Sequence, residues 1–462
     1  MFDAKIYSER RQNLMRQIDS GILIFLGNQE SPINYRDNAY PFRQDSSFLY
    51  YWGLDSPGLA AVMDVDENRQ VLFGNDATVE EIVWTGPQPL LREESEKVGV
   101  AESAPFEQLE IELQKALKKG RKIHFLPLYR AENLILLSQI SGMTPTQVDH
   151  SVSHELVEIV VDQRSVKSSE EITQIDAALD ISYEMHTTAM RQTQPGMIER
   201  EIAGMMAGLA HARGGELAFP IIFSVHGETL HNHYHGNTMH AGDMVVNDCG
   251  AASAWHYASD ITRTIPVSGQ FTDLQKTMYQ IVYNALQFAI DAVKPGAKFK
   301  DIHLLACEHL TQGLKDNQLM KGNVKEAVAA GAHALFFQCG LGHMMGLDVH
   351  DMEALGEDLV GYDEETQRSE QFGLRSLRLG KRLQPGYVIT VEPGLYFIPQ
   401  LMDRWRAEKK FTDFINYEEV EKYREFGGIR IEEDVLVTDT GCRILGKPIP
   451  KTVAEVEELA SS

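Results

Sequence analysis

Cysteine is scarce in this chain. The four present, Cys249, Cys307, Cys339 and Cys442, lie far apart with no CxxC pair, which excludes a disulfide framework or a zinc ribbon and suits a reducing, cytoplasmic compartment. Long apolar runs are missing too. No stretch approaches the ~20 apolar residues that span a bilayer, and the opening MFDAKIYSERRQNLM has no apolar core of the signal-peptide kind, so neither a membrane partner nor export is expected. Basic charge is short, with 43 Lys and Arg against 67 Asp and Glu and a formal net charge of -24. Nucleic acid is held mostly by neutralising phosphates, so no nucleic-acid partner is expected. Among catalytic signatures there is no HExxH, no GxSxG elbow, no Walker-type phosphate loop and no dinucleotide fingerprint. Of the enzyme chemistries, hydrolysis by metal-bound water is left.

The length of 462 residues implies about two or three domains. Over the first ~165 residues, short apolar runs (GILIFLG 21–27, LAAVMDV 59–65, KIHFLPL 122–128) alternate with helical stretches such as FEQLEIELQKALKK (106–119), a pattern that predicts an α/β layer domain. A boundary falls at RSVKSSEEI (164–172), where Ser168 and Glu171 have the spacing of a capping box. They open a helix with Ile172, Ile175, Leu179, Met185 and Ala189 at helical spacing, ended by Pro195-Gly196. Beyond it the sequence predicts helices over about 197–213, 272–293 and 300–314 and strands at 219–225, 243–249 and 262–267. A polar connection (353–383) then precedes two strands, YVITVEPGLYF and IRIEEDVLV, with an apparent insertion at 400–425 between them; no short tandem repeat is present.

Five segments carry the chemistry: VVNDCG around Asp248, ASDITRT around Asp260, GLGHMMGLDVHD around His343, ITVEPGLYF around Glu392 and GGIRIEEDV around Glu432. Each sets an ionisable side chain inside or beside an apolar run, where an unpaired charge is costly. A divalent cation removes that cost. Four carboxylates and one imidazole form a hard, oxygen-rich ligand set that suits Mn²⁺ better than a sulfur-lined structural zinc. Asp248 and Asp260, twelve residues apart around Gly250, can meet across a hairpin. Two ions sharing such ligands lower the pKa of a water and polarise a carbonyl. His350, seven residues after His343, is a candidate proton carrier, though a buried structural histidine is the plainer reading. Six histidines fall between 226 and 256. A surface tract accounts equally well for most of them, and less well for His231, which follows an apolar strand and a turn at Gly227.

These five segments resemble, in order and surroundings, the creatinase, prolidase and aminopeptidase P family of dinuclear metallopeptidases, and PFRQDSSFLYYWGLDSPG (41–58) resembles that family's N-terminal domain. The resemblance implies an α/β N-terminal domain over 1–165 and an α+β "pita-bread" catalytic domain over 166–462. It implies two divalent ions, Mn²⁺ foremost and Co²⁺ or Zn²⁺ as alternatives: Asp248 on one, His343 and Glu392 on the other, Asp260 and Glu432 bridging. Glu392 would orient the attacking water and take its proton, His350 would stabilise the tetrahedral intermediate, and His231 would contact substrate, with His233 as the alternative on local sequence. Substrates would be small peptides with proline second, cut by a Xaa-Pro dipeptidase, for which Arg378 would hold the terminal carboxylate, or by a Xaa-Pro aminopeptidase. The resemblance also implies a homodimer paired through the N-terminal domain. Cys339 departs from the pattern, since the family usually has a histidine there and a thiol donates poorly; either a neighbour such as His333 or a tract histidine stands in, or turnover slows. A metal-free creatinase-like hydrolase and a non-enzymatic binding protein on the same fold are the competing readings.

Overall fold

The computed structural model describes residues 1–461. The chain divides into two compact units, Met1–Arg164 and Ser165 onward. Among the described residues no helix is long and apolar enough to cross a membrane, and all four cysteines are free thiols.

In the first unit the three apolar runs become β1 (Ile22–Leu26), β2 (Ala60–Asp64) and β5 (Ile123–His124), joined by β3 (Arg69–Gly74) and β4 (Glu102–Pro105) in a five-stranded mixed sheet ordered β4-β3-β2-β1-β5. β2 and β3 form a hairpin whose turn uses Asn68 in the left-handed region, at φ 48°. β4 carries no readable strand signal, because its four residues end in proline and none is buried. One face of the sheet, through Ile22, Ile24, Val62, Val71 and Phe73, packs on Leu109, Leu113 and Ala116. These last three recur at helical spacing on helix Gln108–Lys118.

The second unit begins on the expected capping box, with Ser168 and Glu171 each bonding the other's backbone at the head of helix Ser169–Gln192. That helix and Glu199–Ala212 pack together, as do Asp273–Ala292 and Phe299–Asp316. The two pairs repeat one plan. Each turns on a Pro-Gly step whose glycine has positive φ (Gly196 93°, Gly296 82°) and whose glycine N–H donates to a distant carbonyl, Met239 or Leu383. A repeat about a hundred residues long escapes a search for short tandem units. Its strands are β6 (Glu216–Leu217), β7 (Ile222–Ser224), β8 (Met244–Cys249), β9 (Ala251–Ala252), β10 (Ile261–Pro266), β11 (Val388–Val391), β12 (Gly394–Tyr396), β13 (Gly428–Arg430), β14 (Glu433–Val437) and β15 (Cys442–Ile444). They form small sheets, β10-β8-β7, β11-β14-β15, β12-β13 and β6-β9.

Each of the two long strands expected near the end is divided. YVITVEPGLYF splits into β11 and β12 around Glu392-Pro393, and IRIEEDVLV into β13 and β14 around Ile431-Glu432. Pro393 has no N–H to continue a ladder. The breaks face each other, since Val391 pairs with Glu433 on one side and Gly394 with Arg430 on the other. The insertion packs partly on the connection that precedes it, with Trp405 edge-on to Phe372 of that connection and to its own Phe411.

Arg263 ties these sheets together. Its fully buried guanidinium donates to the carbonyls of Thr262 (2.9 Å), Glu432 (2.6 Å), Ile449 (3.1 Å) and Pro450 (2.9 Å) and to Glu433 Oε1 (2.7 Å). A lysine point charge cannot reproduce that fork. Arg263→Lys and Arg263→Leu are both expected to cost about 3–5 kcal/mol, read as a lowered urea midpoint for the second unit; a midpoint shift below a fifth of that would contradict the assignment.

Candidate metal centre

Local sequence places each ligand-type side chain. Asp248 lies in the central strand β8, opposite Thr262 on one side and Ile222 on the other, and Asp260 immediately precedes β10. A Cβ on Gly250 would stand 1.7 Å from the Ser259 carbonyl oxygen, so only glycine lets the connection fold back this tightly. Gly342 plays the same part beside His343, where a Cβ would meet the Thr390 oxygen at 2.0 Å. The 341–343 segment therefore runs along β11 as a further strand would, with Thr390 N donating to His343 O (3.0 Å) and Glu392 N to Leu341 O (2.8 Å). Glu392 and Glu432 project from the two facing strand breaks.

Nine of the residues named from sequence line one cavity of about 400 Å³: Asp248, Asp260, His343, Glu392, Glu432, His231, His350, Arg378 and Cys339. His343 Nε2 lies 3.3 Å from Asp260 Oδ2 and 3.8 Å from Glu392 Oε1. One donor atom each from Asp260, His343 and Glu432 fall within 4.8 Å of one another. The His343 Nδ1 contact with Met344 O, at 3.0 Å, assigns the proton to Nδ1 and leaves Nε2 with its lone pair toward the carboxylates, the form a metal-binding imidazole takes.

Burial, and then its carboxylate neighbours, push Asp260 and Glu432 far above the usual carboxylate range. Glu392 is pushed up to about 8 by burial against the opposing pull of Arg430. Asp248 Oδ1 and Asp260 Oδ1 are buried without a hydrogen-bond partner. Repelling carboxylates with orphaned oxygens, beside an imidazole lone pair, fit divalent cations.

Several residues on which the site depends were not read from sequence. Arg430 Nη2 donates to Asp248 Oδ2 at 2.5 Å, and Thr262 Oγ1 to Glu432 Oε2 at 2.6 Å. Arg430 stands two before Glu432, a strand spacing that could have flagged it. Glu353 accepts from His350 Nδ1 at 2.7 Å and from Arg378 Nε at 3.3 Å; in sequence it is one acid among several in a polar connection.

Of the tract histidines, His231 and His233 line the cavity. His231 is held below its usual pKa by burial and the nearby Arg430, with Asp248 also close. His226 pairs with Glu228, His240 with Asp243, and His235 Nε2 meets Ile221 O. His333 is absent from the cavity wall and buried elsewhere, so it does not stand in at Cys339. Burial pushes the Cys339 thiol up to about 12, and it reaches Tyr396 Oη at 3.9 Å. It is therefore a neutral, weak donor at neutral pH.

Fold and site together define a metallopeptidase. Residues 173–439 match the model of metallopeptidase family M24, and residues 7–124 match that of the aminopeptidase P N-terminal domain; the chain belongs to family M24. It is 32% identical to the Xaa-Pro dipeptidase of Homo sapiens over 450 residues, covering 94% of this chain and 88% of that protein. It is 30% identical to the Xaa-Pro aminopeptidase of Escherichia coli strain K12 over 466 residues, covering 98% and 97%. The solved structure of zinc-substituted Escherichia coli aminopeptidase P in complex with product superposes with a TM-score of 0.81 at 27% identity, covering 100% of this chain and 98% of that one.

The carboxylates give the metal-free protein a distinctive pH dependence. Glu392 is raised from 4.5 to about 8, so between those values the folded state keeps a proton that the unfolded chain releases. Its stabilising contribution is complete below 4.5 and is lost as pH rises through 8, at about 1.4 kcal/mol per pH unit; Asp260 and Glu432 act with the same sign. Ligands bound to metal are already deprotonated. The Tm difference between Mn²⁺-loaded and chelated protein is thus expected to widen from about pH 5 to pH 8, and a constant difference would count against the assignment.

Proposed function

We propose that the protein hydrolyses Xaa-Pro peptides with two divalent cations, Mn²⁺ foremost and Co²⁺ or Zn²⁺ next. Asp248 would hold one cation, His343 and Glu392 the other, and Asp260 and Glu432 would be shared between them. The observation that carries this is the convergence of five ligand-type side chains with orphaned carboxylate oxygens on one wall of a peptide-sized cavity. When bound, the cations lower the pKa of a water and polarise the scissile carbonyl.

The remaining work falls to side chains. Glu392, whose side chain is 20% exposed against 8% for Asp260, opens furthest into the cavity; it orients the attacking water and takes its proton at a carboxylate oxygen. His350, held at Nδ1 by Glu353, keeps Nε2 for the oxygen of the tetrahedral centre. His231 contacts the substrate, with His233 beside it on the same wall. Phe219, Pro220, Ile222, Leu230 and Val349 supply an apolar surface that suits a pyrrolidine ring, and Xaa-Pro has no amide N–H to be satisfied there.

Arg378 on the cavity wall favours a Xaa-Pro dipeptidase, because a dipeptide places its carboxylate one residue beyond the cut bond. Its ion pair with Glu353, at 3.3 Å, favours the second reading, an aminopeptidase, since it already partly neutralises that guanidinium. The proposal extends to compartment and subunit pairing. The free thiols suit a reducing cytoplasm. In the first unit, helix Val79–Thr85 leaves Val79, Val83 and Trp84 at least 74% exposed, an apolar face suited to pairing in a homodimer. We take residues 1–165 as the aminopeptidase P-like N-terminal domain and 166–462 as the catalytic domain.

With Mn²⁺ present, a Xaa-Pro dipeptide is expected to be cut faster than the same sequence extended by two residues, and Arg378→Ala should raise KM for the dipeptide by about 10–100-fold, the worth of a charge-assisted contact. Equal or faster cleavage of the longer peptide would establish the aminopeptidase. Asp260→Asn and Glu432→Gln should abolish turnover of both, and no turnover by the unaltered protein with any of the three ions would refute the proposal. Sedimentation at micromolar concentration should give a dimer that Trp84→Glu dissociates; a monomeric unaltered protein would exclude pairing.

A further inference from the structure

Outside the catalytic cavity, a second cluster of metal-binding groups lies wholly within the second unit. His303 and Cys307 are four apart on helix Phe299–Asp316 and so share one face. His333 approaches from the single-turn helix Ala332–Leu335, which starts after Gly331 has reversed the chain in the left-handed region, at φ 87°. Donor atoms of all three lie within 4.8 Å of one another, and His303 Nε2 is 3.4 Å from Cys307 Sγ. None of the three is more than 2% exposed, and none lines the catalytic cavity.

The thiol contact satisfies one ring nitrogen only. His303 Nδ1 is buried without a hydrogen-bond partner, and neither nitrogen of His333 has one of ordinary geometry, although the Val328 carbonyl lies within reach of one of them. A buried polar group left in that state is unfavourable, and an ion between the two rings and the thiol would take one nitrogen of each ring. Burial holds His303 near 3 and His333 near 4, which keeps both rings neutral and their lone pairs available.

We propose that His303, Cys307 and His333 form a site for a thiophilic d¹⁰ cation, Cu⁺ in preference to Zn²⁺, separate from the catalytic metals. Two imidazoles and a thiolate are soft to borderline ligands, unlike the oxygen set of the catalytic centre. Cu⁺ with one thiolate and two neutral imidazoles is uncharged, as a dry interior requires, whereas Zn²⁺ would leave a net positive charge and call for a fourth ligand. Binding exchanges the Cys307 proton for the metal and involves no redox change. The bound ion would fasten the helix to the turn that leads, six residues on, to Cys339 on the catalytic cavity wall.

The test uses the full chain carrying Asp260→Asn, which disables the catalytic centre, so that failure there and failure here are told apart. Anaerobic titration with Cu⁺ against a chromophoric Cu⁺ chelator is expected to show one tightly held equivalent, accompanied by a rise in Tm. Adding Cys307→Ser or His333→Gln should weaken that binding by at least 100-fold. X-ray absorption at the copper edge should show one sulfur and two nitrogen neighbours, a reading that stands even where a variant does not fold. No tight equivalent, or copper without sulfur, would overturn the site. Tight Zn²⁺ with the same residue dependence, and no tight Cu⁺, would uphold the site and overturn the choice of ion.

Discussion

Four carboxylates crowded around one imidazole repel one another in a medium that screens them poorly, and the rest of the second unit is arranged to hold them there. The force that resists dispersal is largely backbone. Glu432 is fixed by Arg263 at its carbonyl and by Thr262 at its carboxylate. Asp260 donates its backbone N–H to Asp434 Oδ2 at 3.0 Å, adding a further buried acid to the cluster. Arg430, at Asp248, contributes a full opposing charge in direct contact with a ligand carboxylate, whereas Arg263 reaches Glu432 through its carbonyl. The arrangement leaves a deficit of positive charge, which is the physical content of calling it a metal centre.

The paired strand breaks turn an ordinary hairpin into a ligand platform. A continuous β11–β12 strand would point Glu392 by simple alternation alone. Because Pro393 ends one ladder and β13 passes to β14 at the facing position, Glu392 and Glu432 are set side by side by two independent pairings. The glycine approaches at 250 and 342 do the equivalent for Asp260 and His343. Backbone geometry thus fixes where these side chains stand, which limits the ordering cost of holding an ion there.

The residues that converge on the cavity as proposed ligands stood out in sequence because each is an ionisable group within or beside an apolar run, a conflict with burial visible without coordinates. The capping box at Ser168 was legible for a related reason, since its chemistry is local. Arg430 and Glu353 were harder to see because their importance lies in partners 182 and 25 residues away, Asp248 and Arg378. The division of two apparent strands also needs pairing information: Pro393 announces one break, and nothing in IRIEED announces the other. β4 was invisible because an edge strand with no buried residue has no hydrophobic period to read. The mutual approach of His303, Cys307 and His333 depends on how one helix packs against one turn.

Glu353 links the two halves of the substrate question. It holds His350 at Nδ1 and Arg378 at Nε through the same oxygen, Oε2, so on the proposed roles the histidine meeting the tetrahedral oxygen and the arginine meeting a terminal carboxylate are not independent. On that proposal a substrate carboxylate arriving at Arg378 would compete with Glu353, and loosening that pair would leave Glu353 Oε2 to the His350 ring alone. A dipeptide would therefore meet a guanidinium already engaged, and its binding would be coupled to the setting of the group that meets the tetrahedral oxygen. A longer peptide without a carboxylate at that point leaves the Glu353 bridge intact. The same three side chains can thus discriminate by substrate length through a change of partner rather than a steric block.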